Sequence, residues 1–199
     1  MKKLAIAVAL FGAISTAQAA GLSVSTAGGH AGAIGFSGYD GEPVGFTGNQ
    51  NSGVLGALFA DVAGTISFTY LGQESGHVNQ FNLVLGAALF EGGTAGSTTV
   101  SSFINSGLVD FKFIDTNPNP DVAFANGAVS TSQLGFAILS ATNSPYLYYI
   151  GFNDTFDKDA DYDDFVVGVN FSPVPVPAAL PLMATALGLF GFGASRGRI

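Results

Sequence analysis

The sequence predicts an all-β protein, a two-sheet β-sandwich or jelly roll, flanked by an N-terminal signal helix and a C-terminal transmembrane helix. Three observations carry that expectation. Apolar side chains fall at every second position in several short runs, as a sheet with one buried face requires: Ile66, Phe68 and Tyr70 alternate with Thr65, Ser67 and Thr69, and Val109, Phe111 and Phe113 alternate with Asp110 and Lys112. Turn chemistry separates the runs, notably Gly92-Gly93 and Asn117-Pro118-Asn119-Pro120. No segment between the two ends reads as a helix. The chain is 48% hydrophobic and 10% charged, well below the average charged share of about 25%, so a disordered acidic tail is excluded. Its 28 glycines and 8 prolines show no three-residue period, which excludes collagen.

The elements follow in chain order. Met1-Lys2-Lys3 gives a basic start, residues 4–14 are an unbroken apolar run, and Ala17-Gln18-Ala19 supplies small residues around a cleavage site. That order defines a secretory signal peptide, residues 1–19. Residues 20–172 then form one domain by length, enough to bury about 68–70% of the unfolded surface. Strands are expected at 54–59, 65–70, 78–85, 98–103, 109–113, 133–140, 146–152 and 165–171. Within these, 54–59 and 134–139 are apolar at most positions, the pattern of strands covered on both faces. The chain contains no cysteine, so an exported fold must rest on core burial or on a metal. Two histidines without metal-ligand spacing do not supply a structural zinc site.

Residues 173–199 form the second signal. Residues 176–194 carry Thr185 as their only polar side chain, and Arg196 and Arg198 follow directly. Nineteen such residues match a membrane span, and the basic end favours the cytoplasmic side. The body would therefore sit outside the inner membrane, held transiently by its tail. Between the signals, Lys112 and Lys158 face all fourteen acids, leaving the body at a net −12. Nucleic acid is excluded as a partner, because binding it takes a basic face.

Six of those acids, Asp154, Asp157, Asp159, Asp161, Asp163 and Asp164, fall within eleven residues. Like charges this close disfavour one another's ionisation, and a hard, oxygen-seeking cation such as Ca²⁺ relieves that repulsion. Alternate residues of an extended strand lie roughly 6.6 Å apart, so the segment must curl to converge on one ion. Asp157, Asp159 and Asp161 stand where an EF-hand begins, but Tyr162 occupies the glycine position and Gly168 that of the closing glutamate, so an EF-hand is rejected. The competing reading is a solvated acidic turn that keeps a sheet edge from pairing.

Two resemblances bear on these segments. The run from Val174 to Arg198, VPVPAALPLMATALGLFGFGASRGR, resembles the C-terminal sorting signal of PEP-CTERM proteins: a proline motif, an apolar span, then a basic cluster. Pro175-Val176-Pro177 carries valine where that family usually has glutamate. The resemblance implies recognition by an exosortase in a Gram-negative bacterium that makes exopolysaccharide. The stretch from Gly151 through D-x-D-x-D-x-D-D to Val167 is similar to the end of an exported bacterial domain of unknown function. That likeness implies a calcium site with Asp157, Asp159, Asp161 and Asp163 or Asp164 as ligands.

Other chemistry is sparse. Ser75 and His77, with Glu74 beside them, can be imagined as a hydrolase triad, but triad members are assembled by the fold and not by sequence adjacency. His30 and His77 read as ordinary polar loop residues, and no catalytic residue is assigned. Tyr146, Tyr148 and Tyr149 could stack on sugar rings; the plainer reading is a strand with Tyr146 and Tyr148 on one face. The expectation is thus an exported, exosortase-processed surface or extracellular-matrix structural protein that is not an enzyme. The alternative is a calcium-supported carbohydrate-binding or adhesive module.

Overall fold

The computed structural model describes residues 21–25, 53–83, 86–117, 121–130, 134–141, 144–154 and 162–174. Both expected terminal helices lie outside them. Among the described residues no helix is long and apolar enough to cross a membrane, and every regular element named is a strand.

The described residues form twelve strands in order: β1 (Leu22–Ser25), β2 (Ala57–Ala60), β3 (Gly64–Gly72), β4 (Asn79–Leu83), β5 (Ala87–Phe90), β6 (Thr99–Ile104), β7 (Gly107–Leu108), β8 (Phe111–Asp115), β9 (Val122–Ala125), β10 (Gly135–Ser140), β11 (Tyr148–Asn153) and β12 (Phe165–Pro173). They form three antiparallel sheets with orders β10-β11-β12-β3-β6, β5-β4-β8-β9 and β1-β2-β7. The alternating runs at 65–70, 78–85, 98–103, 109–113 and 165–171 all contain strands. Run 54–59 is shorter than expected: Val54 makes an isolated bridge to Ile138, and the strand itself starts at Ala57.

The five-stranded and four-stranded sheets share one core. Phe68 of β3 meets Phe81 of β4 with ring centroids 4.6 Å apart, and Phe113 of β8 stacks on Phe152 of β11 at 4.8 Å. Such ring pairs add about 0.5–1.5 kcal/mol beyond burial. The small third sheet places Leu58 in the same core and is stapled there by Asn126. That amide accepts from the Leu58 N–H at 3.0 Å and donates to the Leu58 and Val109 carbonyls at 2.8 and 2.7 Å.

A second apolar cluster, including Leu71, Leu139, Tyr146, Tyr149, Tyr162 and Val166, covers the opposite face of the five-stranded sheet. Strands β10, β11 and β12 are therefore buried on both sides, as the apolar run at 134–139 anticipates. The tyrosine pattern differs from expectation. The chain bends before β11 begins, so Tyr146 joins Tyr149 in the outer cluster while Tyr148 packs against the main core. Tyr162 reaches its place with a φ of 64°, a left-handed conformation uncommon outside glycine. Its carbonyl oxygen lies over Gly151, where a Cβ would come within 2.0 Å, so glycine is required there.

Candidate functional site

The alternation that builds the core also builds the site. Phe81, Phe113 and Phe152 point inward from β4, β8 and β11. One same-face step along each strand brings Asn79, Asp115 and Asp154, respectively, because residues two apart share a face. Asn79 and Asp115 are direct cross-strand partners, and Asp154 follows the last residue of β11. All three are buried, at 1%, 0% and 1% exposure. The phenylalanine layer is thus capped, at one end of the core, by a layer of two carboxylates and an amide.

Hydrogen bonds join the capping layer across the two sheets. Asp154 Oδ2 accepts from the Ser75 hydroxyl at 2.5 Å and from Asn79 Nδ2 at 2.7 Å. Asp115 Oδ2 lies 2.8 Å from His77 Nδ1, and its Oδ1 accepts the Asn117 N–H at 3.1 Å. The His77 N–H donates to Ser75 Oγ at 2.9 Å, and the Asn79 N–H donates to Glu91 Oε1 at 2.5 Å. One atom in the layer is left over: Asn79 Oδ1 is buried without a hydrogen-bond partner. Both amide atoms of Asn153, on the neighbouring face, share that condition. A buried polar atom left unsatisfied costs about 1–3 kcal/mol.

The field is negative. His77 and Lys112 are the only basic side chains among the described residues, and Lys112 is exposed on β8. Partial burial works against a charged His77 ring, yet the Asp115 hydrogen bond and charge, with Asp154 and Asp164 behind them, raise its pKa above the ordinary 6.5. Burial pushes Glu91 up to about 7; the Asn79 N–H pulls it back and the Asp154 charge adds to the rise. Ligand atoms of His77, Asp115 and Asp154 all lie within 4.8 Å of one another.

Of the ligands expected from the sequence, Asp157, Asp159 and Asp161 lie outside the described residues, as do Pro175, Val176, Pro177, Arg196 and Arg198. Asp163 is buried, and its carbonyl accepts the Glu74 N–H at 3.1 Å. Asp164 is half-buried and accepts the Asp154 N–H at 2.6 Å, so it closes the segment that Asp154 opens. Ser75 and His77 are close, but the single Ser75 O–H goes to Asp154, and the acid beside the imidazole is Asp115, not Glu74. His77 stands in the loop between β3 and β4, as expected, with its ring bound to the buried Asp115. Sequence reasoning missed Asn79 and Asp115. The signal was present: extending the alternation of Phe111 and Phe113 by one step lands on Asp115. No family model, curated protein or solved structure matches the chain.

Proposed function

We propose that the chain is an exported, non-enzymatic structural protein of the cell surface or extracellular matrix of a Gram-negative bacterium, its mature body a β-sandwich. The observation that carries this reading is a phenylalanine-packed β body whose sequence is flanked by a basic, then apolar, then small-residue run at 1–19 and a proline, apolar and basic run at 173–199. Its partners in transit are the secretion machinery, the inner membrane through residues 176–194, and an exosortase. Exopolysaccharide is the partner at the destination. Ser75 donates to Asp154 and not to the His77 ring, so the two are not arranged as a serine–histidine nucleophile and base. Mass spectrometry of the exported protein tests the proposal. The expected chain lacks residues 1–19 and the basic tail; mature protein that retains Arg198 refutes processing.

A second reading is a calcium-supported carbohydrate-binding or adhesive module. The buried carboxylates of Asp115 and Asp154 favour it, because a divalent cation neutralises such a pair. Glycan-array binding that appears with calcium and vanishes with chelator is the expected result, and no binding under either condition refutes it.

A further inference from the structure

We propose that Asp115, Asp154 and Asn79 seat a hard divalent cation between the four-stranded and five-stranded sheets, with His77 positioning Asp115. The proposal takes its metal class from the calcium reading and is independent of whether any glycan binds.

The argument begins with distance. Calcium takes oxygen ligands at about 2.3–2.6 Å, so donors on opposite sides of one ion stand roughly 5 Å apart. The Asp115 and Asp154 carboxylate oxygens stand within 4.8 Å of each other and fit that sphere, and a His77 ring nitrogen lies within the same distance of both. The second observation is independent of the acids. The Asn79 amide is 1% exposed and held against Asp154 by its Nδ2, while its oxygen, on the same carbon, is a buried acceptor without a donor. A cation bound by the neighbouring carboxylates would supply the partner this oxygen lacks. Ser75 Oγ adds a further oxygen at the same carboxylate.

The donor set decides the class. Carboxylate, amide and hydroxyl oxygens outnumber the one imidazole, and its Nδ1 is engaged with Asp115. Oxygen-rich sites suit calcium, magnesium and manganese over softer ions. A ring nitrogen bound to a ligating carboxylate is an outer partner that fixes the ligand's direction.

The described ligands of the site come from both sheets. The site draws on β4, β8 and the end of β11, so an ion here would clamp the two sheets together at one end of their core.

Titration calorimetry on the full-length chain, stripped with chelator and then given Ca²⁺, Mg²⁺, Mn²⁺ or Zn²⁺ singly, tests this. One equivalent of calcium is expected, bound more tightly than zinc, with a rise in Tm on binding. Asn79→Ala and Asp115→Asn each weaken calcium tenfold or more, with circular dichroism in chelator reporting whether each variant is folded. Asn79→Asp separates the site from a structural role: it keeps the oxygen and adds charge, so it lowers Tm in chelator yet binds calcium at least as tightly as the parent. No binding of any ion, preference for zinc, or unchanged calcium affinity in Asn79→Ala and Asp115→Asn overturns the proposal. So does Asn79→Asp losing stability with calcium affinity reduced.

Discussion

The middle of the core and its capped end are built by the same strands in the same register, and they differ completely in chemistry. On β8, Phe113 stacks against Phe152, while Asp115, the next residue on that face, enters a network of carboxylates and amides. Cross-strand partners repeat the contrast: Phe81 faces Phe113, and Asn79 faces Asp115. The middle is non-directional and tolerates any shape that fills it, whereas the end requires each donor to meet its acceptor. One region supplies apolar burial and the other a set of directional polar contacts.

The largest expected effect comes from breaking the middle. Phe113→Ala removes a fully buried ring that contacts Phe81, Phe111, Phe136, Phe152 and Phe165. Such truncations cost about 3–5 kcal/mol, to be read from urea unfolding. Next is Asn126→Ala, a polar group placed inside the apolar region. Losing it strips partners from the Leu58 N–H and from two carbonyls, a cost of about 3 kcal/mol. It should also raise hydrogen exchange at the Leu58 amide.

At the capped end the effects are smaller and depend on conditions. In chelator, Asp115→Asn trades a charged partner of His77 for a neutral one, for a loss of about 1–2 kcal/mol. The His77 pKa should fall back toward its ordinary value, which NMR titration of the ring checks. The smallest effect is a slope. Glu91 sits at about 7 in the fold against an ordinary 4.5, so the folded state keeps a proton that the unfolded chain releases across that window. Stability therefore falls as pH rises from about 4.5 to 7. His77 acts in the same direction: its raised value contributes stability below pH 6.5 that is lost as pH rises through the folded pKa. Urea midpoints in chelator should decline across this range, and Glu91→Gln should flatten the decline below pH 7. Identical slopes for parent and variant would contradict the burial of Glu91.

How much of this was legible in the sequence follows from the same contrast. Period-two runs such as Ile66, Phe68 and Tyr70 reveal a strand and its inward face, because burial acts on each residue singly. They say nothing of partners: β3 pairs with β12, about a hundred residues away, and that choice belongs to the assembled core. The short strands β1, β5 and β9, with only four residues each, fall below the length at which alternation separates from chance. For the site, the aspartate cluster marked Asp154, Asp163 and Asp164 by density alone. Alternation places Asp115 on the inward face and His77 is a rare residue type, but that they and Asn79 meet follows only from the pairing of β4 with β8.

The bond from the Asp154 N–H to Asp164 has a consequence for engineering. It ties the residue that follows β11 to the one that precedes β12. Closing a flexible connection costs little more as it lengthens, about 0.6 kcal/mol for each doubling. An insertion between Asp154 and Asp164 is therefore expected to leave that bond, and the β11–β12 pairing behind it, in place.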